Sequence, residues 1–112
     1  MFKFIKVWTK SKNEKSARYR RDFATELDGK PIRYVVERTE DGREGNIVGR
    51  EGALIIRDGN LLVFASNEVV FRCPVENLAA WRLLSGNGVV LTGPDIEHGG
   101  GERSLIVHFT KY

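Results

Sequence analysis

The sequence predicts a mainly β domain: a small antiparallel, partly open barrel or roll of about seven strands with one N-terminal α-helix. Three observations carry this. From Pro31 onward, apolar residues alternate with period two in short runs. Short polar or Gly-containing turns separate most of those runs, which favours antiparallel neighbours. Twelve Gly and three Pro in 112 residues suit a turn-rich β chain better than a helical bundle.

The front of the chain is the exception to the alternation. The stretch TKSKNEKSARYRRDFATEL holds good helix formers and neither Gly nor Pro. Tyr19, Phe23 and Leu27 recur every four residues, one helical stripe, with Ala17 and Ala24 as small neighbours. Asp28-Gly29-Lys30-Pro31 is the predicted stop, with Gly29 just past the last turn and Pro31 beyond it. At the extreme N-terminus two patterns compete. Phe2, Phe4 and Val7 fit an alternating strand, whereas Phe4, Ile5 and Trp8 fit the first turns of a helix.

The predicted strands follow in order. Ile32, Tyr34 and Val36 alternate with Arg33, Val35 and Glu37, and Thr39–Asn46 is a polar loop. Ile47–Val48 is a short piece that breaks at Gly49 before Ala53–Arg57. Asp58-Gly59-Asn60 is a tight hairpin turn into Leu61–Ala65, and Ser66-Asn67 is a second turn into Val69–Cys73. Pro74 interrupts pairing. Val75–Ala80 is either one helical turn or a bulged approach to a strand over Trp81–Leu84. Ser85–Gly88 turns into Val89–Thr92, and GPDIEHGGG over Gly93–Gly101 is a mobile loop. The last strand, Arg103–Thr110, puts Leu105, Val107 and Phe109 on one side. No repeat or low-complexity tract divides the chain, so 1–112 is one domain, with 1–29 a basic helical segment and 31–112 the β part.

Composition narrows the function. Hydrophobic residues at 41% and charged residues at 29% are those of an average globular domain, which excludes a disordered tail or a collagen-like repeat. One cysteine, Cys73, excludes a disulfide scaffold and suits a reducing compartment. Its parity with Val69 and Phe71 predicts a small buried apolar residue. No stretch is long and apolar enough for a transmembrane helix, and MFKFIKVW is too short and lysine-broken for a signal peptide. The expectation is a cytoplasmic protein.

The stretch Gly52–Leu84 has a hairpin of apolar strands, then V-F-R-C-P, then V-E-N-L and a further apolar run. It resembles GRAM and bacterial pleckstrin-homology-like domains. The corner-turning step F-x-x-P-x-x-x-L falls on Phe71, Pro74 and Leu78, with Trp81 following. The resemblance spans about Gly49 to Phe109. It implies two nearly orthogonal antiparallel sheets forming a partly open barrel, and a binding module rather than an enzyme. Such domains usually end in a helix that plugs the barrel. Here the helix lies at the front, and Tyr19, Phe23 and Leu27 are expected to do the plugging. Phosphoinositide-binding members carry Lys and Arg around the first hairpin. Thr39–Asn46 instead holds Glu40, Asp41 and Glu44 beside Arg43.

Charge gives the strongest functional signal. Residues 1–38 hold 11 Lys and Arg against five Asp and Glu, a net of +6, and residues 39–112 a net of −3. Within residues 1–21, Lys3, Lys6, Lys10, Lys12, Lys15, Arg18, Arg20 and Arg21 face only Glu14. They are the candidate contacts for an anionic partner. A basic helix with interleaved aromatics can lie on an anionic lipid surface, where each cation contributes about 1 kcal/mol. It can equally hold an anionic partner protein, neutralise nucleic-acid phosphates, or leave its charges in water. Nucleic acid has less support, because no RNP-like strand, helix-turn-helix pair or zinc-finger spacing accompanies the charges. Tyr34, Phe64, Phe71 and Trp81 could serve as base-stacking aromatics, or as core.

Enzyme chemistry finds little footing. His98, His108, Cys73 and Glu97 show no metal-ligand spacing. HGGG at His98–Gly101 looks like an esterase oxyanion loop but lacks the required G-x-S-x-G elbow. Asp95 and Glu97 read as solvated loop carboxylates. No catalytic residue, metal or cofactor is expected, and an edge strand, either Ile32–Arg38 or the last, offers a route to self-association.

Overall fold

The structure, a computed structural model, describes residues 20–110. Residues 20–27 are helical (α1). Seven strands follow: β1 Pro31–Arg38, β2 Glu44–Arg57, β3 Asn60–Ala65, β4 Glu68–Pro74, β5 Ala79–Arg82, β6 Gly88–Pro94 and β7 Glu102–Phe109. They form one antiparallel sheet in the order β4-β3-β2-β1-β7-β6-β5. The mainly β expectation with one helix and seven strands therefore holds. The sheet is an open roll rather than a closed barrel, because its edges β4 and β5 do not pair with each other.

The helix ends where the sequence says it should. Gly29 adopts φ +84°, which glycine reaches without steric cost. Its N–H donates to the Leu54 carbonyl at 2.7 Å, and Asp28 Oδ1 accepts from the Ile56 amide at 2.9 Å. The helix end is thus fastened to β2. Phe23, Ala24 and Leu27 are buried in the core, as the plugging expectation requires of the described part of the stripe. The Arg82 guanidinium lies 4.7 Å above the Phe23 ring and pairs with Glu26, tying α1 to β5.

Inside the roll, Ile32, Val35, Leu54, Leu61, Phe71 and Leu105 share one core with α1. Alternation holds along β7, where Leu105, Val107 and Phe109 all face this core. Both predicted turns form with paired positive φ, Asp58 and Gly59 at 53° and 76° and Ser66 and Asn67 at 53° and 64°, and Asn60, predicted as part of the first turn, already belongs to β3.

Several expectations fail. The polar loop predicted over Thr39–Asn46 spans only 39–43, because β2 already pairs from Glu44, opposite Arg38. The predicted break at Gly49 is absent, and β2 runs on for 14 residues, pairing with β1 in its first part and β3 in its second. Its register against β1 shifts between Val35 and Val36 and again between Val36 and Arg38, Glu51 takes a positive φ of 50°, and the glycines there permit close approach rather than ending the strand. A Cβ on Gly52 would lie 1.7 Å from the Phe64 carbonyl oxygen. The fifth strand begins at Ala79 instead of Trp81, because Leu78 is drawn into the core beside Gly93 and Ala79 pairs with Thr92. Finally, Ile32–Arg38 and the last strand are not edges. They pair with each other in the middle of the sheet.

Candidate anionic-partner surface

Lys3, Lys6, Lys10, Lys12, Lys15 and Arg18 lie outside the described residues, as does Tyr19. The last two members of the basic set are placed. Arg20 donates to the Glu76 carbonyl at 2.8 Å and so joins α1 to the turn before β5. Arg21 is exposed beside a cleft of about 610 Å³ that it shares with Asp58 and Glu76. Among the four aromatics, Phe71 is core, Phe64 and Tyr34 are half-buried, and Trp81 is 43% exposed.

The outer face of the roll is organised in cross-strand rows. Register aligns Ile47 on β2, Val36 on β1, Ile106 on β7, Val90 on β6 and Trp81 on β5. Five strands give a row roughly 19 Å long. Its middle members Val36, Ile106 and Val90 are buried, and its ends Ile47 and Trp81 are exposed. The Arg38 guanidinium sits 5.5 Å above the Trp81 ring although β7 and β6 lie between their strands. The two side chains therefore meet as a cation–π pair across the outer face of β7 and β6.

The neighbouring row runs Arg50, Tyr34, His108, Gly88 and Leu83. Tyr34 and His108 stack at 4.4 Å between centroids, and His108 Nε2 bonds Glu44. Beside this row, Arg33, Tyr34, Ile47, Arg50, Glu51 and Thr110 line a groove of about 530 Å³. Arg33 lies 5.9 Å from the Tyr34 ring. Both Arg33 and Arg50 are exposed, and neither forms an ion pair among the described residues. Two guanidinia without ion-pair partners among the described residues, lining one groove with an aromatic ring and an exposed isoleucine, can hold an anionic group beside apolar matter. The sequence placed Arg33 on the polar parity of its strand. It gave no sign that Arg50, 17 positions on, would join it.

The opposite end of the roll holds a charged network that sequence reading missed. Asp95, expected to be solvated, is fully buried. Its Oδ1 accepts from the Arg72 and Glu97 amides, each at 3.1 Å. Its Oδ2 accepts from Arg103 Nη1 and lies against His98 Nδ1, each at 2.7 Å. Arg103 also donates to the Val70 carbonyl at 3.0 Å and pairs with Glu37. The Ile96 amide meets the Arg72 carbonyl at 2.8 Å. The 95–101 loop is therefore fastened along the outer side of β4, one of the two sheet edges, and takes up its backbone groups. Burial pushes the Asp95 carboxyl up, but Arg103, the Arg72 amide and His98 outweigh it and hold it below the ordinary carboxylate range. Burial likewise opposes the Arg103 charge, and Glu37 with Asp95 raises its pKa in spite of this.

A buried carboxylate orienting a half-exposed imidazole is half of a nucleophile-activating arrangement. Here Arg103 already compensates the Asp95 charge, and no hydroxyl or thiol bonds His98 among the described residues. Cys73 is no substitute. It is fully buried, and burial, with Asp95 and Glu102 nearby, pushes its thiol up to about 11. Native protein should accordingly leave a thiol reagent such as DTNB unconsumed at pH 8, and unfolded protein should consume one equivalent per chain. Fast labelling of the native form would contradict this burial. His108 serves a different cluster, so the two histidines share no site.

Among the described residues no helix is long and apolar enough to cross a membrane. No known protein family, curated protein or solved structure matches this chain.

Proposed function

We propose that this chain is a non-enzymatic binding module of pleckstrin-homology-like type whose ligand is an anionic membrane surface. The observation that carries the ligand is the groove that Arg33 and Arg50, exposed and without ion-pair partners among the described residues, line together with Tyr34. An antiparallel seven-strand roll with a helix set into its core supports the fold type. The basic set Lys3, Lys6, Lys10, Lys12, Lys15, Arg18, Arg20 and Arg21 adds long-range attraction to the same class of partner. A single, buried Cys73 supports a cytoplasmic setting.

Nucleic acid is the second reading, favoured by the net +7 of residues 1–21. Co-sedimentation with phosphatidylcholine vesicles, with and without phosphatidylserine, decides between them when a nucleic-acid shift assay is run in parallel at physiological salt. The membrane reading expects binding that requires phosphatidylserine. A nucleic-acid shift without vesicle binding would transfer the function to the second reading, and failure of both would overturn the two together.

A further inference from the structure

The turn between β5 and β6 carries an unusual side chain. Leu84 is fully exposed, the most exposed large apolar residue described. Its loop is nevertheless held by hydrogen bonds within it and to β7. The Leu83 amide donates to the Gly88 carbonyl at 3.0 Å and the Gly86 amide to the Leu83 carbonyl at 2.9 Å. Gly86 takes φ +77°, Ser85 Oγ accepts from the Asn87 amide, and the Phe109 amide donates to the Asn87 carbonyl at 2.8 Å. A leucine on a fixed tip loses little freedom when it is buried by a partner.

Charge distinguishes this end of the roll from the other. The far-end segments 37–44 and 95–103 carry seven carboxylates against three arginines. Segments 26–33 and 82–88, at the hairpin end, carry two carboxylates against Lys30, Arg33 and Arg82. Glu26 is paired with Arg82, and Asp28 is engaged by the Ile56 amide. Among the described residues Lys30 has the Phe109 ring, 5.8 Å away, as its side-chain partner, and Arg33 that of Tyr34. An anionic surface would therefore attract this end and repel the other. The row that holds Arg50 ends at Leu83, roughly 19 Å across four strand spacings. The groove and the tip thus stand in one tier.

We propose that the β5–β6 hairpin tip is the membrane-inserting element of the module, with Leu84 entering the apolar boundary of an anionic bilayer while Lys30 and Arg33 face lipid phosphates. The inference rests on the membrane reading above and specifies its orientation. The test compares wild type, Leu84→Ser and Ile96→Ser on phosphatidylcholine–phosphatidylserine vesicles. Ile96 is a second exposed apolar residue, 48% accessible, placed at the acidic end. Both substitutions are at exposed positions, and thermal melts confirm equal folding. Leu84→Ser should lower the partition constant about tenfold, and Ile96→Ser should leave it within about twofold. Wild-type binding with both variants unchanged would overturn the insertion while sparing the membrane reading. Equal losses in both would overturn the orientation. No binding by wild type would remove the reading beneath it.

Discussion

Replacing Asp95 with alanine is expected to destabilise the domain by about 3–5 kcal/mol, the range for removing one partner of a buried charged pair. The carboxylate is fully buried and bonded to two amides, an arginine and a histidine. Among the described residues, its loss removes the side-chain acceptor of the Arg72 amide and leaves Arg103 with Glu37 and the Val70 carbonyl. It also frees the loop that covers β4. A fall in Tm of more than about 10 °C is the expected reading in a thermal melt. The same group sets an acid limit. Because its folded pKa is depressed, its contribution is complete above the ordinary carboxylate value near 3.9 and is lost as pH falls through the folded value. Wild-type stability should therefore drop below about pH 4 more steeply than that of Asp95→Asn. Equal slopes for the two proteins would show that the network does not set the acid limit.

The second large effect belongs to Gly52. A methyl group there would overlap the Phe64 carbonyl oxygen, a backbone atom that cannot turn aside. The β2–β3 register, which pairs Gly52 with Ala65, would have to open there. Gly52→Ala should cost about 3 kcal/mol or more, at the upper end for overpacking. Gly101 makes the fitting control, since a Cβ there meets nothing within 4 Å. Gly101→Ala should stay within about 0.5 kcal/mol. Urea unfolding of both variants checks the pair, and a mild effect at Gly52 would mean that the β2–β3 backbone is more yielding than its contacts imply.

What the sequence revealed and what it concealed follow from the reach of the interactions. The stripe Phe23–Leu27, the alternation in β7 and the Asp58-Gly59 turn are local patterns, and all three appear as expected. Gly49 misleads, and Gly52 goes unread, because their reason is non-local. They are small to admit Ala65 and Phe64 from the neighbouring strand, and nothing within β2 announces that. Asp95 misleads in the same way. Among Gly, Glu and His it has the composition of a solvated loop, and only Arg103 and the Arg72 amide turn it into a buried anchor. The Arg33–Arg50 groove needs the β1–β2 register, in which Tyr34 lies opposite Arg50, before the two cations share a surface. Trp81 needed the actual start of β5 at Ala79 to be placed on the outer face.

The most direct test of the membrane-binding account is the partition constant of Arg33→Gln/Arg50→Gln on phosphatidylserine-containing vesicles at physiological salt, measured beside wild type. Each arginine near an anionic surface contributes about 1 kcal/mol, so removing both charges should weaken binding about 30-fold with the fold intact. Equal partition of the two proteins would contradict the groove as the anionic-partner surface.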